Sequence, residues 1–276
     1  MMLMRLLTCA AMAAALSGCG ESKTAITVTT APPPPPPPKP LRIVFPEGFT
    51  RRDMARRITA VNGIAIRKRH VHPRLSARTY LRATAGRIRV PGFGRKRYPY
   101  EGFLFPATYD FFKNTTSPQL VRDQLDAFGQ NFSRVNLRHA RSKNLTPYDV
   151  LTIASMIEKE AQAPGERKLI SAVIYNRLHG RMPLGIDATI RYALNVPPTE
   201  SLTESQLHNP TPYNSRLYLG LPPTPIANPG LASIEAAAHP AKVDYLYFVR
   251  KPDHVHHFFT ASFQAFQDYL AKHGYG

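Results

Sequence analysis

The sequence predicts an α+β fold in two modules, and three observations carry that reading. A short run rich in β-branched residues, Leu41-Arg42-Ile43-Val44-Phe45, is bounded by Pro46 and reads as a strand that a turn leads into a capped helix. Further on, Thr146-Pro147-Tyr148-Asp149 opens a long apolar helix, and Ala163-Pro164-Gly165 separates it from a second one. Charge divides the same chain. Residues 41–100 hold 16 Lys and Arg against Glu47 and Asp53 alone, whereas residues 101–276 hold 17 basic and 15 acidic residues.

The elements follow in order. Behind Arg5, the apolar run Leu6–Leu16 is too short for a bilayer core of ~30 Å, which needs roughly 20 helical residues, and has the length of a signal-peptide core. It ends in Leu16-Ser17-Gly18-Cys19, which resembles a lipoprotein signal over residues 1–18 with Cys19 as the lipidated first residue; an ordinary signal peptide with an incidental Cys is the alternative. Cys9 leaves with the signal, so Cys19 has no thiol partner and a hydrophobic core must hold the exported part together. Residues 19–40 form a linker, Thr-rich and then seven prolines long from Pro32 to Pro38. A proline run extends at ~3.1 Å per residue and makes a stiff spacer of roughly 20 Å.

Residues 41–98 make a small basic module. Pro46-Glu47-Gly48 reads as a turn, and Thr50 caps a helix from Arg51 towards Val61, with Asp53 completing a capping box. Met54, Ile58 and Val61 share one face of it, and a short helix from Ser76 carries Tyr80 and Leu81. The basic field suits an anionic polymer or surface. The export signal argues against nucleic acid, which would need the N-terminal run to stay uncleaved in the cell, and leaves wall polymer, peptide-stem carboxylates or lipid headgroups; a merely solvated basic face is the plain alternative.

Residues 99–276 make the second module. Phe103 and Phe105 read as core, Tyr109 as core or a platform for a sugar face, and a helix is expected from Ser117 to about Arg141. The helix capped by Thr146 runs to about Gln162 with a buried stripe of Val150, Ile153, Ala154, Ile157 and Ala161. Glu158 and Glu160 flank that stripe on opposite edges, and Lys159 points to solvent. A carboxyl in such apolar company is poorly solvated, which disfavours its charged form and suits a general acid. Periodicity does not choose between the two. The second helix runs from near Glu166 to His179-Gly180 and should pack on the first.

A family resemblance rests on ordered blocks. Ile153-Ala154-Ser155-Met156-Ile157-Glu158-Lys159-Glu160, Tyr175-Asn176-Arg177-Leu178, Met182-Pro183-Leu184 with Asp187, Pro212-Tyr213-Asn214, Pro225-Ile226-Ala227-Asn228-Pro229-Gly230 and Ala236-Ala237-Ala238-His239-Pro240 resemble the endolytic murein transglycosylases. Glu101-Gly102-Phe103-Leu104-Phe105-Pro106 and Pro46-Glu47-Gly48 fit the same pattern, and the strand–turn–helix start of the first module resembles a LysM-like module that contacts glycan. The resemblance implies a small LysM-like α/β module followed by a mixed α+β catalytic domain whose helical hairpin carries the catalytic Glu.

It implies Glu158 as catalytic acid/base and Glu160 in support, with Asn176, Asp187, Tyr213 and Asn214 binding substrate or holding the site. It implies cleavage between N-acetylmuramic acid and N-acetylglucosamine within glycan strands, with 1,6-anhydro ends as product, in a protein that terminates nascent strands. No cofactor and no metal are needed. The partners would be peptidoglycan strands, the membrane through Cys19, and peptidoglycan synthases. The chain departs from the family in having a lipid signal rather than a membrane span, in Gly185-Ile186 before Asp187, and in a loosely matched His-rich turn at Asp253–Phe258. The alternative function is a wall-binding lipoprotein without catalysis.

Overall fold

A computed structural model describes residue 37 and residues 39–274, and every element below lies in the unit Pro38–Gly276. The expected signal peptide, Cys19 and nearly all of the linker fall outside the described residues.

The observed architecture is α+β. Strand β1 (Leu41–Val44) leads to α1 (Arg51–Arg69), α2 (Ala77–Ala83), the short pair β2 (Arg87–Ile88) and β3 (Tyr98–Pro99), and then β4 (Thr108–Phe111). Helices α3 (Ser117–Phe132), α4 (Arg138–Ser142), α5 (Pro147–Glu160), α6 (Arg167–His179), α7 (Asp187–Leu194), α8 (Glu204–Leu207) and α9 (Leu231–Ala238) follow. The described chain closes with β5 (Tyr247–Arg250), β6 (His257–Thr260) and α10 (Phe263–His273). All three sheets are antiparallel pairs: β1 with β4, β2 with β3, and β5 with β6.

The start of the described chain is built on period-two burial. Leu41 and Ile43 point inward while Arg42 and Val44 face out, and their register partners Phe111 and Tyr109 are buried with them. The β1–β4 pair carries a cluster in which Met54 and Ile58 of α1 and Tyr80 of α2 meet Leu104, Leu120 and Val121 from beyond residue 98. Helix α1 begins as expected, with the Thr50–Asp53 capping box formed in both directions. It runs eight residues past Val61, where Ala65 is still buried, and stops at His70 in the left-handed conformation.

The larger core cluster centres on α5. The Thr146–Asp149 capping box sets its start, and every residue from Val150 to Ile157 is buried, so the expected stripe is a helix enclosed on all sides. It packs against α6, α7 and α9. The helix expected across residues 117–141 is broken instead, because the Asn136 side chain accepts the Arg138 amide at 3.0 Å and starts α4 anew. The segment Pro225–Gly230 is buried throughout and is held to α5 where Ser155 Oγ accepts the Ile226 amide at 2.9 Å.

The candidate active-site cleft

The last turn of α5 ends at a cleft of about 1360 Å³. Its walls include Glu158, Lys159 and Glu160 of α5, the turn at Glu47-Gly48, Glu101, Asp187 and Tyr192 of α7, and Tyr213. Ordinary small-molecule pockets occupy about 300–1,000 Å³, so the space suits a polymer segment rather than one small ligand.

Glu158 is half-buried, and its Oε2 accepts the Gly230 amide at 2.9 Å. Gly230 caps the N-terminal end of α9, so the donor comes from a helix start. The turn at 46–48 is docked on the same residue. Gly48 adopts φ +76°, and a Cβ there would stand 3.4 Å from Glu158 Cγ. Lys159 Nζ reaches the Gly48 carbonyl at 3.4 Å, so this lysine joins the end of α5 to the 46–48 turn and does not point away to solvent as expected.

Glu160 lies on the same cleft rather than on an opposite face. Burial, and then the negative charge of Asp187, push its pKa up to about 7, while Arg250 and the Ala188 amide pull the other way. The poor solvation expected from the apolar run is felt at Glu160. Asp187 sits in the first turn of α7 and is paired with Arg216 at 2.7 Å. Tyr213 bonds Thr224 at 2.8 Å and stands beside Tyr192, ring centroids 5.3 Å apart, forming an aromatic wall.

Two expected site residues are spent on the backbone. Asn176 donates to the Val243 and Tyr245 carbonyls at 3.0 and 2.9 Å. Asn214 is fully buried; its amide donates to Leu207 and Asn209 carbonyls and its Oδ1 accepts the Arg216 amide. Both hold loops and neither lines the cleft. Ile186, in the departure before Asp187, is core: it is buried and its amide is held by Ser215 Oγ at 2.9 Å. In the His-rich turn, buried His257 bonds Glu166 at 2.7 Å and His256 bonds Asp253 at 3.0 Å, so these rings fix β6 and its turn.

The site also contains residues that composition and periodicity did not single out. Glu101 is buried, and burial pushes its pKa up to about 7 against the amide of Arg51, the Arg51 charge, the Tyr192 hydroxyl and Asn228. Its Oε1 accepts the Arg51 amide at 2.9 Å and Asn228 Nδ2 at 2.8 Å, and its Oε2 accepts the Tyr192 hydroxyl at 3.3 Å. Asn228 is the hub. Its Oδ1 accepts the Gly102 and Leu104 amides, both at 2.9 Å, and its Nδ2 also donates to the Phe49 carbonyl at 2.9 Å. One side chain thus joins the 46–51 turn, the 101–104 segment and the loop that ends at Gly230. The legible signal for Glu47 and Glu101 was their place in the ordered blocks, in a stretch short of acid.

These shifts give a sign for stability. Glu101 and Glu160 bind a proton more tightly in the folded chain than at the ordinary 4.5, so the unfolded chain releases protons first as pH rises. Stability should therefore fall from about pH 4.5 to about pH 7 and level off above, by roughly 3 kcal/mol for each of the two groups. Thermal midpoints recorded from pH 5 to pH 8 should decline, and Glu160→Gln should flatten the slope. A midpoint that rises through that window would contradict the assignment.

The profile of the YceG-like family matches residues 22–272. Two similar relatives carry the name endolytic murein transglycosylase. One, from Bacillus subtilis, is 39% identical over 155 residues, which is 56% of this chain and 43% of that protein. The other, from Streptococcus pneumoniae, is 41% identical over 157 residues, 55% of this chain and 28% of that protein. The chain therefore spans less than half the length of either relative. A crystal structure of a yceG-like protein from Listeria monocytogenes superposes with a TM-score of 0.69 at 30% identity, covering 83% of this chain and 76% of that one. With the profile covering nearly the whole sequence and that fold superposing on it, the chain belongs to the YceG-like family.

Proposed function

We propose that the chain is an endolytic peptidoglycan lytic transglycosylase with Glu158 as its acid/base. The observation that carries this is the position of Glu158: one carboxyl oxygen is fixed by the Gly230 amide, on an open cleft sized for a polymer. The names of the relatives support the reaction class.

In the reaction, the Glu158 carboxyl gives its proton to the oxygen that bridges N-acetylmuramic acid C1 to N-acetylglucosamine, and the C1–O bond breaks. The muramyl 6-hydroxyl oxygen attacks C1, and its proton returns to Glu158. The product is a 1,6-anhydro ring, and no water is consumed. Hydrolytic glycosidases need a second carboxylate at ~5 Å or ~6.5–9.5 Å to attack or to activate water. An intramolecular hydroxyl is already held close, so one acid/base can serve. The Tyr192–Tyr213 wall offers a face for a sugar ring, and Arg52 along the cleft offers a cation to stem-peptide carboxylates.

The wider setting belongs to the same proposal. Cys19 anchors the protein by lipid in the bacterial cell envelope, with the globular part outside the cytoplasm and the proline spacer between. From there it ends nascent strands near peptidoglycan synthases. The first module acts as a LysM-like glycan contact; its strand–helix–helix order and its basic charge support that role. The full chain incubated with sacculi should release anhydro-muropeptides detectable by mass spectrometry. Release of reducing-end products would overturn the reaction class, and binding to sacculi without any product would favour the non-catalytic lipoprotein.

A further inference from the structure

The reaction proposed above uses nothing from the β5–β6 hairpin, yet that hairpin lines the same cleft with Phe248, Val249, Arg250 and His257. His257 is buried, and Glu166 holds it twice. From the turn that joins α5 to α6, one Glu166 carboxyl oxygen accepts the His257 amide at 3.0 Å and the other accepts the ring Nδ1 at 2.7 Å. The Phe248 and Phe259 rings flank the imidazole, with centroids 5.5 and 5.9 Å away. Across the hairpin, His257 pairs in register with Arg250, whose charge acts on Glu160. The ring therefore has a fixed orientation on the cleft into which α5 ends.

The second ring nitrogen has no such partner. A carboxylate only accepts, so Nδ1 carries the hydrogen and the neutral ring keeps a lone pair at Nε2. Nε2 bonds none of the described residues and is not one of their buried atoms left without a partner, so it opens onto the cleft that His257 lines. We propose that His257 is a substrate-contacting residue and Glu166 the residue that positions it: Nε2 accepts a hydrogen bond from a neutral donor of the glycan, a sugar hydroxyl or an acetamido N–H. The identity of the ligand rests on the function proposed above; the contact itself does not depend on the chemistry at Glu158. Flanking aromatic rings limit the competition of water for such an acceptor. The bond is made to bound substrate before and during bond breakage alike, so it acts on KM rather than on kcat.

The test separates the two nitrogens in the full chain. Asparagine places an amide donor where Nδ1 stands, whereas glutamine places an amide where Nε2 stands. His257→Asn should keep the bond to Glu166, so its thermal midpoint should fall less than that of His257→Gln. It should nevertheless raise KM for anhydro-muropeptide release about fivefold, with kcat little changed. His257→Gln should show the opposite pattern, a lower midpoint with part of the affinity retained. Affinity for purified glycan strands free of stem peptides, measured in a Glu158→Gln background, should fall by the same factor with His257→Asn. In nitrogen NMR of histidine-labelled chain, the Nε2 signal that His257→Asn removes should move when those strands are added, and the Nδ1 signal should not. On de-N-acetylated strands the penalty of His257→Asn disappears if the acetamido N–H is the donor and persists if a hydroxyl is. Wild-type KM and affinity in His257→Asn would overturn the proposal, and so would affinity losses that follow the midpoints in both variants. A wild-type chain that binds strands through His257 and releases no anhydro product would overturn the reaction and leave this contact standing.

Discussion

Glu158→Gln should lose catalysis by about a thousandfold or more, because the amide can neither give nor take the proton that the reaction moves twice. Glu160→Gln should lose far less, about tenfold. With its pKa at about 7, Glu160 is largely protonated at mildly acidic pH, and a neutral glutamine has much the same shape and hydrogen-bonding capacity as a protonated carboxyl. The two variants differ by two positions on one helix and line the same cleft, so general damage to the fold would affect them alike. Turnover of purified sacculi by each, at pH 5 and pH 8, separates the roles. A dead Glu160→Gln beside an active Glu158→Gln would reverse the assignment of acid and support.

Asn228→Ala should be the most destabilising single change at the site. The side chain is fully buried and binds four groups: the Gly102 and Leu104 amides, the Phe49 carbonyl and Glu101. Alanine leaves those groups without partners where water does not reach them, at a cost of about 3–5 kcal/mol. For a chain of this size that lowers the thermal midpoint by about 10 °C. The loss should reach catalysis as well, since Asn228 lies two residues before Gly230 and its own amide and carbonyl bond Phe49 and Gly48 at 3.0 and 2.9 Å. Calorimetry of the variant should show the lower midpoint. A midpoint within 2–3 °C of the wild type, a shift of about 1 kcal/mol, would mean that the hub contributes little.

What was legible in the sequence was mostly local. The capping boxes at Thr50 and Thr146 are written within four residues each, and both form. The turn at Ala163–Gly165 lies between two helices that pack together, as its composition implied. The far end of α1 was harder, because Gly63 and the sparse apolar pattern beyond Val61 hide a helix whose Ala65 is buried by tertiary contact. The pairing of β1 with β4 joins residues 70 positions apart in chain, as Leu41 does with Phe111, and periodicity carries no trace of it.

The site divides in the same way. Glu158, Glu160, Asp187 and Tyr213 gather on one cleft, while Asn176 and Asn214 turn to backbone carbonyls. An asparagine's sequence position does not reveal whether its amide faces a ligand or a loop. The helical-wheel argument set Glu158 and Glu160 on opposite edges of a stripe. It missed that α5 is enclosed on all sides and ends at the cleft, so both edges open onto it. Glu47 and Glu101 stand in the ordered blocks, but their role comes from contacts with Gly230 and Asn228, more than 120 residues away, which no local pattern carries.

The central claim is that the attacking oxygen belongs to the sugar. Digestion of sacculi in isotopically labelled water tests it most directly. The account predicts muropeptides with anhydro ends and no label in them, and no such products from Glu158→Gln. Label appearing at newly formed reducing muramyl ends would contradict it.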